Sequence, residues 1–288
     1  MFDRIVIGVD DREGGRDALA LADTFARATG GTLIAVRAYL QESHPTRATV
    51  GGFEQDLRAD ASAELSRAVS DAGVEAQRVV VGDISIARAL QHAAEQDDAG
   101  LLVVGSTHWG PIGRVLAGGV TASVLHHAPC PVAVAPRDYA EHDGALRAIG
   151  VGFDGSRESQ AALALATELA KAAGASLQIL SVVVIAVPAA FPVGFERDWA
   201  DETERSGRAE VDRARAAAAE HGVAASGEIA VGSPVDELVE LSGEVDLLVV
   251  GSRGFGPVKR LLLGSTSDQL VREAACPVIA VPRPDHAD

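Results

Sequence analysis

The sequence predicts an α/β protein of two related domains, each a parallel sheet covered by helices. Three observations predict it. The string at Leu247–Thr266 has an earlier copy at Leu101–Val120, and extending the match to Leu101–Arg137 against Leu247–Arg283 needs no gap, with 17 of 37 positions identical. Short β-branched runs alternate with helical patterns in both halves, the mark of βαβ crossovers. A length of 288 residues gives each half roughly 140, enough for its own core.

In chain order, the first half predicts strands at about Arg4–Val9, Thr32–Tyr39, Ala76–Val81, Leu101–Val104 and Val132–Ala135. The second predicts them at about Ala148–Phe153, Ser176–Val183, Ala224–Val231, Leu247–Val250 and Val278–Val281. Each run is bounded by Gly, Asp or Pro. The first helix of each half shows the helical period, Ala18, Ala22 and Phe25 recurring as Ala162, Ala166 and Leu169. Gly30 and Gly174 stand where those helices should end. Two longer, charged helices are expected at about Glu54–Ala72 and Asp201–His221, closed by Gly73 and Gly222. Loops fall at about Leu40–Gly52 and Ile185–Phe195, and a polar linker at about Arg137–Leu146. The domains are therefore expected at 1–140 and 145–284.

Composition narrows the function. With 25 basic and 41 acidic residues the net charge is −16, which argues against a duplex nucleic-acid binder and against anionic membranes. The chain opens on a charged strand rather than an apolar leader, and the apolar run Val182–Val193 is broken by Pro188 and Pro192. A cytoplasmic protein is the expectation. Cys130 and Cys276 hold equivalent positions before Pro-Val and read as buried thiols.

The chemistry concentrates after the fourth strand. In the second half Gly251-x2-Gly254-x9-Gly264-Ser265 leaves the sheet at its carboxyl edge, where open α/β sheets bind ligands. Gly254 and Gly256 permit close backbone approach, and Gly264 and Ser265 open a helix whose unpaired N–H groups favour an anion. The Ser265 and Thr266 hydroxyls add donors, and Arg253, Lys259 and Arg260 add positive charge. No Gly-Lys-Ser/Thr occurs, so this is not a Walker A loop. Asp154, after Gly152-Phe153 at the end of the first strand, can accept from a ribose hydroxyl or an adenine amino group, or can cap the helix that follows. Asp10 is its counterpart.

With G-x2-G-x9-G-S, the strand-ending Asp and the late Ala-Pro-Cys-Pro-Val on the page, the chain resembles a tandem universal stress protein of the ATP-binding type, over nearly all of both halves. The resemblance implies two doubly wound domains, each with five parallel strands in the order 3-2-1-4-5. It implies that Gly152, Phe153, Asp154 and Val182 face base and ribose, and that Val250, Gly251, Arg253, Gly254, Gly264, Ser265 and Thr266 cradle phosphates. In the first half the corresponding residues are Val9, Asp10, Ala38, Gly105, Thr107, His108, Gly118, Gly119 and Val120. That half departs from the family pattern. His108 replaces the second motif glycine, and Gly119 replaces the hydroxyl residue, a lost donor worth about 1–2 kcal/mol if charge-assisted.

Two other readings of single residues are weak. His126, His127 and Cys130 are spaced too loosely for a metal site, and Asp10 with Asp11 lacks the lysine a receiver-type phosphoacceptor needs, since the first half contains no lysine. The expected function is an ATP-binding stress-response regulator whose occupancy alters conformation or partner contacts, with Mg2+ near the phosphates. No catalytic residue is indicated, although slow ATP hydrolysis is compatible. The alternatives are a non-nucleotide interaction and dimerisation module, and a weak enzyme of the adenine-nucleotide hydrolase group. Bare final strands would be sheet edges, so pairing of the two domains about a pseudo-two-fold is expected, and a homodimer is open.

Overall fold

The computed structural model describes residues 1–41, 53–106, 119–184, 195–252 and 265–282. Two compact units divide between Ala145 and Leu146. In the first, β1 (Arg4–Gly8), β2 (Thr32–Leu40), β3 (Gln77–Asp83), β4 (Leu101–Gly105) and β5 (Val132–Ala135) alternate with α1 (Glu13–Thr29), α2 (Phe53–Asp71), α3 (Ile86–Gln96) and α4 (Gly119–His127). In the second, β6 (Ala148–Gly152), β7 (Ser176–Val183), β8 (Ala225–Val231), β9 (Leu247–Gly251) and β10 (Val278–Val281) alternate with α5 (Arg157–Ala173), α6 (Phe195–Glu220), α7 (Pro234–Ser242) and α8 (Ser265–Glu273).

The α/β class and the parallel strands are as expected. Within the first unit the order is β3-β2-β1-β4-β5, and within the second β8-β7-β6-β9-β10. Ile5 of β1 sits level with Leu33 on one side and Leu101 on the other; Ile149 of β6 matches Leu177 and Leu247. In each unit the order of strands reverses at the central one. Right-handed crossovers therefore send α1 and α2 to one face and α3 and α4 to the other. Accordingly α1 packs on α2, and α3 packs on α4.

Past the exposed Arg4 the central strands are apolar, because both faces are covered. Ile5, Val6, Ile7, Ile149 and Val151 are fully buried, as are Ala18, Ala22, Phe25, Ala162, Ala166 and Leu169 of the first helices. Gly30 and Gly174 end those helices at φ of 75° and 69°, their N–H groups donating to Ala26 and Ala170 carbonyls. This left-handed conformation is the reason for glycine there.

Sequence boundaries held to within a residue or two in most elements. The largest difference is α6, which begins at Phe195 rather than near Asp201. The expected loops at 42–52 and 185–194 lie outside the described residues.

The linker contains a structure the polar composition hid. A 3-10 turn at Tyr139–Glu141 is fastened to α1 by Asp17, a buried carboxylate only 3% exposed. Its two oxygens accept from the backbone N–H groups of Ala140 at 2.9 Å and Asp138 at 3.1 Å. The Tyr139 hydroxyl donates to Thr24 Oγ1 at 3.4 Å. Cys130 and Cys276 are free, buried thiols, and burial pushes both up to about 12. Among the described residues no helix is long and apolar enough to cross a membrane.

Candidate functional site

The reversal of strand order in the first unit lies between β1 and β4, and a crevice outside the carboxyl ends of the strands is expected there. A cavity of about 590 Å3 occupies that place. Its floor is Gly8, Val9 and Asp10 after β1, Ala38 on β2, and Gly105 and Ser106 after β4. Helix α2 contributes Leu57, Asp60, Ala61 and Glu64; Ile86 and Leu90 come from α3, and Val120 and Thr121 from the start of α4. The volume lies in the usual range of about 300–1,000 Å3 for small-molecule sites.

Close backbone approach shapes this edge. A Cβ on Gly105 would stand 2.0 Å from the carbonyl oxygen of Gly14, so strand end and helix start touch where only glycine fits. In the second unit a Cβ on Gly251 would stand 2.6 Å from the carbonyl carbon of Glu158. These two motif glycines thus have a packing reason as well as any ligand reason.

A hydroxyl then sets the following helix on the strand. Thr121 Oγ1 donates to the Gly105 carbonyl and Ser267 Oγ to the Gly251 carbonyl, each at 3.1 Å. The next residues continue the ladder, Ser106 N–H donating to Ala135 O at 2.9 Å and Ser252 N–H to Val281 O at 2.8 Å. Their hydroxyls are buried and have no hydrogen-bond partner among the described residues. In the first unit that hydroxyl belongs to a residue of the cavity wall. A buried, unpaired donor costs about 1–3 kcal/mol, so an oxygen-bearing ligand at Ser106 would recover it.

The two strand-one carboxylates are used differently. Asp10 Oδ1 accepts from Gly15 N–H at 2.9 Å and from Arg12 N–H at 3.2 Å, closing the N-terminus of α1. Asp154 Oδ1 accepts from Ser156 N–H at 3.1 Å within its own loop, and Ser156 is the cap of α5, accepting from Ser159 N–H at 3.2 Å. Capping, foreseen for Asp154, is therefore done by Asp10 in one unit and by Ser156 in the other.

Of the expected site residues, Val9, Asp10, Ala38, Gly105 and Val120 line the cavity. Gly119 opens α4, with nothing within 4 Å of where its Cβ would be. In the second unit Gly152, Phe153 and Asp154 follow one another at the end of β6, Val182 lies on β7, and Val250 and Gly251 end β9. Ser265 and Thr266 open α8. Thr107, His108, Gly118, Arg253, Gly254 and Gly264 lie outside the described residues. His126 and His127 occupy the last turn of α4, ring centroids 6.3 Å apart. Sequence reasoning missed Ser106, Thr121, Arg37, Asp60 and Glu64. For Arg37 a signal existed: it is the one charge in the apolar run of β2.

Fold and cavity together define a doubly wound α/β protein with a crevice at the strand-order reversal of its first unit. The chain belongs to the universal stress protein family, whose description, Universal stress protein family, matches residues 1–136 and again 145–282. A universal stress protein of Mycolicibacterium smegmatis is 35% identical over 202 residues, 68% of this chain and 66% of that protein. One from Bacillus subtilis, YxiE, is 36% identical over 141 residues, 46% of this chain and 95% of its own. The match to the Mycobacterium tuberculosis protein Rv2005c, 34% identical over 64% of this chain, spans 62% of that relative's length. Among solved structures, a universal stress protein from Archaeoglobus fulgidus superposes with a TM-score of 0.71 over 99% of this chain and 100% of its own, at 20% identity, a likeness of fold.

Proposed function

We propose that this chain is a stress-response regulator that binds ATP or a related adenylate, and whose occupancy changes a surface read by a partner. The observation that carries the proposal is the first unit's cavity, open at the strand-order reversal with the N-terminus of α4 at its edge. A helix start presents unpaired N–H groups and a positive dipole end, suited to phosphate. Val9 and Ala38 supply apolar surface for a base, Asp10 an acceptor for ribose, and Ser106 a donor beside the helix start. We extend the reading to the second unit, where the β6 end, the β9 end and α8 repeat the arrangement with Ser265 and Thr266 in place of Gly119 and Val120.

Any Mg2+ would arrive on the phosphates, since among the described residues no group of three His, Cys, Asp or Glu is placed to hold a metal. The chemistry asked of the residues is binding and orientation, not bond cleavage, and we place the protein in the cytoplasm.

Isothermal titration of the intact chain with ATP tests the reading. Saturable binding at submicromolar to high-micromolar levels is expected, weakened by Asp10→Ala or Asp154→Ala according to which unit contributes. No heat and no co-purified nucleotide by native mass spectrometry, even at millimolar ATP, would leave the second reading, an interaction module. That reading draws on the Gly105–Gly14 and Gly251–Glu158 approaches, which account for those glycines by packing alone.

A further inference from the structure

Arg37 is mostly buried, its side chain 19% exposed, and stands in the wall of the first unit's cavity. Its Nε and Nη2 both donate to Glu64 Oε2, at 3.1 and 2.6 Å, and Nη2 lies 3.6 Å from Asp11 Oδ1. The same wall carries the carboxylates Asp10, Asp11, Asp60 and Glu64, against the two basic residues Arg12 and Arg37. The chain as a whole is at −16. Such a lining repels an anionic ligand unless a cation offsets it at short range, where a part-buried charge is little screened.

At the 144-residue offset of the β1–β2 region, Arg37 corresponds to Ser181 and Asp11 to Gly155. Ser181 is itself buried, so the second unit has a small hydroxyl where the first has a guanidinium. The first unit is also the one whose glycine motif departs from the pattern, at His108 and Gly119.

We propose that Arg37 is a specificity-determining residue of this cavity, its charge offsetting the acidic lining and so admitting phosphate-bearing ligands over uncharged nucleosides. The proposal rests on the nucleotide reading above. Glu64 fixes the guanidinium against the wall before a ligand arrives, which removes part of the ordering cost of binding, and at the same time tempers its charge. Gln at 64 keeps an acceptor oxygen for the guanidinium while removing the negative charge, so Arg37→Ser and Glu64→Gln have opposite signs.

The test titrates ATP, and adenosine as its uncharged counterpart, into the intact chain. Hydrogen-exchange protection of residues 5–19 and 149–163 reports the two units separately. Arg37→Ser is expected to weaken ATP protection of 5–19 about tenfold, as one cation is lost from an acidic wall, with adenosine changed less than about twofold. Arg37→Lys should keep most of the affinity, and Glu64→Gln should tighten ATP about threefold by removing a negative charge at constant shape. Residues 149–163 should respond alike in all variants. A purely structural role would instead weaken both ligands and give Glu64→Gln the same sign as Arg37→Ser. That pattern, or an ATP affinity indifferent to Arg37, overturns the proposal and leaves the nucleotide reading standing. Absence of protection of 5–19 by either ligand in the unsubstituted protein overturns the proposal, and absence at 149–163 as well overturns the nucleotide reading with it.

Discussion

The loop from Asp10 to Gly15 and the loop from Asp154 to Ser159 descend from one repeat and solve one problem with different residues. Both must satisfy the unpaired N–H groups at a helix start. The first reaches back with a carboxylate, and to let it approach, position 15 has to be glycine, since a Cβ there would stand 2.4 Å from the Asp10 carbonyl oxygen. The second uses a serine at the cap itself and can therefore carry Ser159 at the matching place. The strand-ending aspartate thus accepts from the helix start in one unit, and in the other accepts from Ser156 of its own loop while its N–H donates to Ser159. Equal sequence position does not mean equal duty.

The sharpest way to break the comparison is at the strand ends, where the two units agree. Gly105→Ala and Gly251→Ala each push a methyl group into helix backbone. Each should cost about 3 kcal/mol or more, and lower the melting temperature by roughly 6–12 °C, whereas Gly119→Ala should be nearly neutral in packing. Equal, small losses at all three would show that the close approaches are not rigid.

Next come the caps. Asp10→Ala should cost about 1–2 kcal/mol in chemical denaturation, and Asp154→Ala under about 0.5, with Ser156→Ala restoring the symmetry at about 1. A third effect sharpens the ligand side. Gly119→Ser restores a hydroxyl at the helix start, into open space, and should tighten ATP binding about threefold to tenfold by titration.

The smallest effect is one of pH. Burial pushes the Asp83 carboxyl up, but the Arg88 side chain with Nε at 2.9 Å from it, helped by the Ser85 and Ile84 N–H groups, holds it below its ordinary 3.8. Because the folded value is the depressed one, the stabilisation is present above 3.8 and lost as pH falls through the folded value. The melting-temperature gap between wild type and Asp83→Asn should be constant from pH 5 to 8 and close below pH 4. A gap that widens in acid would reverse the assignment.

Much of this was legible in the sequence because it rests on local pattern. Ala18, Ala22 and Phe25 announced a buried helix face, Gly30 its end, and the repeated motif at Gly105 the edge where the first unit's cavity lies. What escaped was tertiary. Thr121 and Ser267 matter because they meet a carbonyl 16 residues earlier in the chain. Asp60 and Glu64 reach the cavity only through the register of α2 on β2, which its charged sequence does not reveal. Asp17 carries no local sign of its burial, because its partners lie 121 and 123 residues away.

That last carboxylate has a practical consequence. A fragment of the first unit cut after residue 136, where the family match ends, would strip from Asp17 the two amide donors that answer its charge in the interior. One carried on to Ala145 would retain them. Anyone wishing to study this half in isolation should place the scissors beyond the tyrosine turn, because the stretch that looks like a tether is a piece of the body it leaves.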